Sequence, residues 1–261
     1  MAIFYAQYYR KIYSGADTRA IEYIFESEWR RGESIYKLVR SVGFSPKVVY
    51  DIGCGAGGTL AYLSAQGCTV YGCDFDEDYL DRARQAGVIA HKGGIDTLAS
   101  YTPADLIILH HVLEHLRDPI ALLKEARKLL SSNGVIYIAL PGVFNIGKQY
   151  PYLGYFFQNA HAWHFCLQTL DSIASRAGLR RVFGDEVIES LYVPSGEMPF
   201  VATDHGLPAN ILNYVYKVGE DTKWKCRLAV MDRCMRYTFR RVGGGRVYRM
   251  YRFAKRMVVR R

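Results

Sequence analysis

Apolar and polar residues follow two different periods along this chain, and their order predicts the fold. Runs rich in β-branched residues, bounded by glycine or acid, predict strands at 48–52, 69–73, 88–91, 106–109 and 135–140. Helical patterns lie between them at 59–66, 77–85 and 119–130. Strands and helices that alternate at this spacing form βαβ units, so we expect an α/β fold with a doubly wound, mostly parallel sheet.

The flanking patterns complete this plan. An amphipathic helix over 18–42, stopped by Gly43, precedes the first strand. A helix at 169–177, stopped by Gly178, follows the fifth strand, and 180–188 and 211–218 are interpreted as two closing strands. The chain is therefore predicted to have an N-terminal helical cap (1–43), a seven-stranded Rossmann-like domain (44–220) and a helical tail (221–261).

The long connection 141–166 interrupts the alternation and is rich in aromatic residues. Connections of this length inside a compact domain are usually functional. We interpret it as a lid whose aromatic side chains cover an acceptor pocket. The alternative is a small local core that packs the segment against the sheet edge.

Composition narrows the class of protein. Half of the residues are apolar, which supports a sizeable core, and no apolar run reaches the roughly 18 residues that a bilayer span needs. The N-terminus has no secretory pattern. The six cysteines form no C-x-x-C pair, which argues against a zinc knuckle and favours reduced thiols in the cytoplasm.

Positive charge is concentrated at the C-terminus, where residues 222–261 carry 14 Lys/Arg and one acid. On helices these residues would form basic amphipathic faces, which suit an anionic lipid surface. We expect 246–261 to contact the inner face of the membrane. Packing of these helices on the catalytic domain is the alternative, and binding to nucleic acid is a third hypothesis.

The most informative motif is VVYDIGCGAGG at 48–58, in which strand, glycine turn and helix follow in order. Gly53, Gly55 and Gly58 satisfy G-x-G-x-x-G, which is also a dinucleotide fingerprint. Asp51 argues against a dinucleotide, because a carboxylate at the end of this strand would repel pyrophosphate and attract an ammonium group. Asp74, at the end of the second strand, can accept both ribose hydroxyls.

One carboxylate for an ammonium group and one for a diol describe S-adenosylmethionine better than a nicotinamide dinucleotide. A nicotinamide-dependent oxidoreductase is therefore the weaker enzyme hypothesis. A non-catalytic cofactor-binding scaffold is the alternative outside enzymes. Asp76 has a separate role in this interpretation, as the cap of the next helix.

These segments resemble the class I S-adenosylmethionine-dependent methyltransferases. The resemblance rests on 48–58, 69–82 and HHVLEHL at 110–116, which is similar to the group with x-V-L-E-H-x after the fourth strand. It continues through Asp118-Pro119 and the His161-x-x-x-Phe165 stretch, and so covers roughly residues 45–180. It implies a methyltransferase fold over 44–220 and S-adenosylmethionine as the cofactor.

The resemblance and the loop together give the expected cofactor site. In this group the third strand is often followed by Gly-Asp, whereas this chain has Gly93 and Gly94 at the matching positions. Adenine is then expected to be held by the Ile95 backbone and by either Asp96 or Phe75. The expected cofactor-binding residues are Asp51, Gly53, Cys54, Gly55, Gly58, Asp74, Phe75, Ile95, Asp96, Leu109 and His110.

Histidine is the natural base for an acceptor that must lose a proton. The candidate catalytic residues form two pairs, His110 with His111 after the fourth strand and His161 with His164 at the end of the lid. Glu114 and His115 are interpreted as structural. The similar ubiquinone-biosynthesis O-methyltransferases carry Glu-Val-x-Glu-His here, a segment implied to hold a divalent ion. His111 replaces the first Glu, so we expect no metal.

The acceptor is expected to be a small molecule or a glycan, methylated on oxygen in polysaccharide or natural-product biosynthesis. A quinone-type or lipid-linked acceptor is the alternative. A nucleic-acid acceptor is disfavoured because no N-P-P-Y-type segment follows the fourth strand. This preference rests on family analogy, and the oligomeric state is not predicted.

Overall fold

The computed structural model describes residues 18–150, 153–157, 160–196 and 206–223. The basic tail 224–261, with the membrane-contact prediction for 246–261, lies outside these residues. The described residues form two compact units, one of residues 18–144 and 160–196 and the other of residues 145–150, 153–157 and 206–223. None of the helices described combines the length and apolarity that crossing a bilayer requires.

The first unit contains one seven-stranded mixed sheet. Its strands are β1 Val48–Ile52, β2 Thr69–Asp74, β3 Ile89–Lys92, β4 Ala104–His110, β5 Leu130–Ala139, β6 Leu179–Gly184 and β7 Glu189–Pro194. They lie in the order β3-β2-β1-β4-β5-β7-β6; strands β1 to β5 are parallel, and β7 runs antiparallel to both β5 and β6. The predicted class, α/β with a Rossmann-like sheet, is confirmed.

Helices cover both faces of this sheet. They are α1 Thr18–Ser41, α2 Gly58–Ala65, α3 Glu77–Gln85, α4 Pro119–Leu129 and α7 Leu167–Arg176, with one-turn 3₁₀ helices at Ile95–Leu98 and Leu113–His115. Buried residues of α1, α2 and α3 pack on one face, and those of α4 and α7 pack on the other. Alternate strand residues supply the two cores, with Val49 in one and Tyr50 in the other.

The second unit contains short helices, α5 Ile146–Gln149 and α6 Leu153–Phe156, and a helix over 207–223. Gly147 N donates to the Tyr214 hydroxyl at 3.3 Å, and Phe156 is fully buried with its ring 5.5 Å from that of Tyr150. Part of the predicted lid therefore belongs to this unit. Its role over an acceptor pocket stays a prediction.

Both closing strands were predicted wrongly: the second is a helix, and the first is shorter than predicted. Residues 211–218 are helical, because the less exposed positions 211, 214, 215, 218 and 222 repeat with the helical period. The last strand is Glu189–Pro194 instead. The strand predicted over 180–188 ends at Gly184, and a turn closed by Ile188 at φ 54° joins it to β7.

Gly58 allows α1 to lie directly on the start of α2. A β-carbon there would overlap the Phe25 carbonyl oxygen and lie 2.8 Å from Trp29 N. We expect Gly58→Ala to lower the free energy of unfolding by about 1–3 kcal/mol, as overpacking does. Denaturant unfolding tests this, with Gly196→Ala as the control, because nothing lies within 4 Å there. Equal unfolding midpoints for Gly58→Ala and wild type would contradict the close packing.

Candidate functional site

The candidate site lies where β1, β2 and β4 end. Strand order reverses between β1 and β4, and ligands of open α/β sheets bind at such a switch point, outside the carboxyl ends of the strands. Asp51 near the end of β1 is in register with Gly72 of β2 and Ile108 of β4. Asp74 and His110 are the last residues of β2 and β4.

The glycine loop after β1 is tied to the end of β2. Gly53 N and Cys54 N both donate to the Cys73 carbonyl oxygen, at 2.8 and 3.1 Å. Gly53 has φ 77° and is exposed, so the backbone there is open to a ligand. The Cys54 side chain is buried, and burial raises the pKa of its thiol well above the usual value. Cys54 can therefore contribute backbone, not thiolate chemistry.

Asp74 keeps acceptor capacity although the protein already bonds both of its oxygens. Gly55 N donates to Oδ2 at 3.0 Å, and Asp76 N donates to Oδ1 at 2.9 Å. Each carboxylate oxygen can accept a second bond. Burial raises the pKa of Asp74, and these N–H groups oppose that rise. A ribose diol fits such a group. Asp76 caps α3 as predicted, accepting from Asp78 N at 3.0 Å.

Asp51 is a buried carboxyl whose bonding is incomplete. It is 2% exposed, and its Oδ1 has no hydrogen-bond partner among the described residues. Burial raises its pKa to about 7, while the nearby Arg31 guanidinium acts in the opposite direction. A buried carboxylate without a partner is costly, so a cationic ligand group at Oδ1 would be stabilised strongly.

Sequence reasoning missed Glu28 on α1. Its carboxylate is 4% exposed and accepts from Gly58 N at 3.0 Å and Ala56 N at 3.3 Å. Burial raises the pKa of Glu28 to about 7. These N–H groups at the start of α2 are the kind that bind a pyrophosphate in dinucleotide folds. Because an internal carboxylate already occupies them, the loop is unsuited to a dinucleotide.

Arg31, one turn further along α1, was also missed. Its Nη1 lies 3.1 Å from Nδ1 of His110, which must therefore accept the hydrogen bond. Burial lowers the pKa of His110 well below its ordinary value, and Arg31 adds to this effect. His110 is thus suited to orienting Arg31 and not to taking up a proton. The sequence did contain a signal for Glu28, because it is a polar residue that recurs with the helical period among apolar ones.

His111 is held in an unusual backbone conformation beside a buried acid. Its φ is 56°, and its N–H donates to the Ala139 carbonyl oxygen at 2.9 Å. Its side chain is 44% exposed, with Nδ1 at 3.2 Å from Oε1 of Glu114, which is 1% exposed. Left-handed conformations of non-glycine residues concentrate at functional sites. The imidazole therefore lies beside a buried carboxylate and within reach of solvent, and so of a ligand.

The second histidine pair approaches the same turn. Backbone N–H groups of Ala162 and Trp163 donate to the Glu114 carbonyl oxygen, at 2.8 and 3.2 Å. The His161 ring lies 4.9 Å from the His115 ring and 5.9 Å from the His164 ring, between centroids. Burial lowers the pKa of His161 to about 4. His161 is therefore neutral near pH 7, and it lies beside Glu114 and His115, which were interpreted as structural.

The residues expected around adenine have different exposures. Phe75 and Ile95 are half-buried, and Asp96 is exposed at the start of the 3₁₀ helix Ile95–Leu98. Leu109 is fully buried in the core, so its side chain is unavailable to a ligand and only its backbone could contribute. The sheet edge thus brings Asp51, Asp74 and His110 together, with Phe75 next to Asp74 in the chain.

Comparisons with known proteins identify the family to which this chain belongs. The family described as "Methyltransferase domain" matches residues 28–182, more than half of the chain. A ubiquinone biosynthesis O-methyltransferase of Nitrosomonas europaea is 30% identical over 105 residues, which cover 37% of this chain and 45% of the relative. A tRNA 5-carboxymethoxyuridine methyltransferase of Escherichia coli K12 is 31% identical over 116 residues, covering 40% and 44%. The chain thus matches less than half the length of these relatives.

Solved structures share the fold at low sequence identity. The plantazolicin methyltransferase BpumL, in complex with SAH, superposes with a TM-score of 0.53 at 20% identity, over 80% of this chain and 88% of that one. A methyltransferase of Clostridium acetobutylicum gives a TM-score of 0.52 at 12% identity, over 72% and 96%. The chain belongs to the methyltransferase-domain family, with the fold of the class I S-adenosylmethionine-dependent enzymes.

Proposed function

We propose that the protein transfers a methyl group from S-adenosylmethionine to an oxygen of a small-molecule or glycan acceptor. The observation that carries the cofactor part is Asp51, a buried carboxyl with an unbonded oxygen beside an open glycine loop. S-adenosylmethionine offers an ammonium group to this oxygen. The carboxylate of the same amino-acid moiety suits Arg31. The charge of Arg31 opposes the raised pKa of Asp51, and its Nη1 lies 3.1 Å from Nδ1 of His110.

The remaining cofactor contacts follow from the sheet edge. Asp74 would accept the ribose hydroxyls, and the backbone of Gly53 and Gly55 would approach the sulfonium end. Phe75, Ile95 and Asp96 would border the adenine ring. Glu28 supports this choice of cofactor, because it fills the N–H groups that a phosphate would need.

The acceptor part of the proposal rests on His111 and Glu114. A hydroxyl nucleophile must lose its proton as it attacks the methyl carbon, while S-adenosylmethionine leaves as S-adenosylhomocysteine. His111 directly follows β4 and is exposed, and its Nδ1 lies 3.2 Å from Oε1 of Glu114. It would take that proton, whereas His110 would position Arg31. The similarity to a ubiquinone biosynthesis O-methyltransferase supports an oxygen acceptor.

Titration calorimetry with S-adenosylmethionine tests the cofactor site. Asp51→Asn keeps the shape of the side chain and removes its charge, so we expect affinity to fall by about 10- to 100-fold, the equivalent of about 1.5–3 kcal/mol for a charged hydrogen bond. Asp81→Asn is the matched control, because Asp81 is an exposed acid that contacts Arg84 on α3. Unchanged affinity in a folded Asp51→Asn protein would refute the assignment.

A transfer assay with methyl-labelled S-adenosylmethionine tests the acceptor class. Hydroxylated sugars, phenolic quinol analogues and total tRNA form three arms, the last because a tRNA methyltransferase is among the relatives. We expect label in the sugar or phenol arm. Label in tRNA alone would refute the small-molecule acceptor without touching the cofactor assignment. Contact of 246–261 with the inner membrane face, and the cytoplasmic location, stay predictions.

A further inference from the structure

The turn after β4 and the segment that follows the predicted lid form one connected structure. The 3₁₀ helix Leu113–His115 receives two hydrogen bonds from the backbone of 162 and 163, both to the Glu114 carbonyl oxygen. Trp163 Nε1 donates to the Leu116 carbonyl oxygen at 2.8 Å, and His115 Nδ1 lies 2.9 Å from the Ala160 carbonyl oxygen. These bonds hold His161 beside Glu114 and His115, although 46 residues separate His115 from His161 in the sequence.

The three side chains converge with donor atoms. One oxygen of Glu114 and one ring nitrogen each of His115 and His161 all lie within 4.8 Å of one another. The Glu114 carboxylate is 1% exposed and has ring nitrogens of His111 and His115 at 3.2 and 3.9 Å from Oε1, but among the described residues no hydrogen bond of good geometry reaches either of its oxygens. A carboxylate buried without a good hydrogen bond is costly, and a cation at its oxygens would lower that cost.

The orientation of His115 is fixed in the way that metal ligands require. A carbonyl oxygen can only accept, so Nδ1 of His115 donates to Ala160, and in the neutral imidazole Nε2 then carries the lone pair that a metal ion requires. Nε2 lies 3.9 Å from Oε1 of Glu114. A metal-ligating histidine typically donates its other ring N–H to a carbonyl or carboxylate, which fixes the tautomer.

We propose that Glu114, His115 and His161 bind a divalent transition metal ion of the zinc type. Two imidazoles and one carboxylate suit zinc with an open coordination position, whereas Mg²⁺ prefers oxygen ligands. This differs from the expectation of no metal, which considered only the loss of an acid at His111. His161, from a distant segment, adds a second imidazole to the cluster, so the ion expected is of the zinc type and not Mg²⁺. Glu114 can bind an ion and still contact His111, because a carboxylate has about four acceptor positions.

A zinc-type ion at this place would supply Lewis-acid polarisation of an oxygen ligand. Nothing in the cofactor assignment depends on it, because Asp51, Asp74 and Arg31 are different residues. The metal inference therefore extends the proposed function and can fail separately from it.

Metal binding by the full, untagged chain tests the inference. Protein treated with chelator is loaded with Zn²⁺ or Co²⁺, dialysed and analysed for metal, with Co²⁺ absorption as a second readout. We expect about one ion per wild-type chain, as for a three-ligand site with one open position. Glu114→Gln and His161→Ala should each weaken binding by more than the roughly 10- to 100-fold that loss of an outer-shell partner costs.

The controls separate a site from incidental binding. His91→Gln removes a histidine that contacts the Tyr101 hydroxyl, outside the cluster, and should bind like wild type. Thermal melting and S-adenosylmethionine binding of each variant report folding, and His161→Ala alters a half-buried position that folding should tolerate. A wild-type chain that retains no ion, equal retention by folded His161→Ala, or displacement of Co²⁺ by equimolar Mg²⁺ would each overturn the inference.

Discussion

Replacement of His111 by asparagine is expected to lower methyl-transfer turnover by about 10²–10⁴-fold, the usual contribution of a general base. Asparagine is the appropriate substitution because it tolerates the left-handed conformation that His111 adopts at φ 56°. The variant therefore removes the imidazole and leaves the backbone turn in place. Affinity for S-adenosylmethionine should stay within about twofold of wild type, because His111 is not among the proposed cofactor contacts.

Single-turnover rates with an acceptor identified by the labelling assay provide the measurement. His91→Gln again serves as the control, since His91 lies on β3, outside the proposed base and metal residues. Glu114→Gln should lower turnover less than His111→Asn, because it disturbs the orientation of the base and not its presence. Wild-type turnover in His111→Asn would show that the acceptor proton leaves by another route.

Affinity for S-adenosylmethionine is expected to depend on pH between about 5 and 7. The pKa of Asp51 is raised to about 7 by burial, above its ordinary value, so the group is increasingly neutral as pH falls below 7. The cofactor ammonium requires the carboxylate. Affinity should therefore fall by up to about tenfold per pH unit below 7 and level off above it, since one proton must leave on binding.

Calorimetry across this pH range, in buffers of different ionisation enthalpy, measures both affinity and proton release. Asp51→Asn should bind weakly and lose the pH dependence. Arg31, Glu28 and Asp74 also act on Asp51, and Glu28 itself has a pKa raised to about 7. Glu28→Gln distinguishes the two acids. If the affinity of Asp51→Asn still changes with pH and that of Glu28→Gln does not, the proton released on binding would belong to Glu28.

The strand that precedes the glycine loop illustrates what local pattern can predict. VVYDI has the apolar residues of a strand buried on both faces, and the glycines that follow permit the positive φ angles of a tight turn. The helix cap at Asp76 was also predictable from nearby residues, because its side chain accepts hydrogen bonds from backbone N–H groups that follow it in the chain. Interactions within a few residues follow from local chemistry.

The stretch 211–218 shows where local pattern fails. A short apolar run fits either period, and only its neighbours in the folded chain decide between strand and helix. Predicting β7 at Glu189–Pro194 required knowing that β6 turns back at Ile188. Those choices depend on pairing partners, which a single sequence does not reveal.

The sequence by itself determined the α/β class, the glycine loop after β1 and the two acids near the ends of β1 and β2, because each depends on residues close together in the chain. Only the tertiary structure decided the contacts between distant segments. It placed the Glu28 carboxylate on the loop N–H groups, joined Arg31 to His110 and brought His161 next to Glu114 and His115. Buried polar groups must find partners wherever the fold places them, and those partners lie 28 to 79 positions away in the sequence.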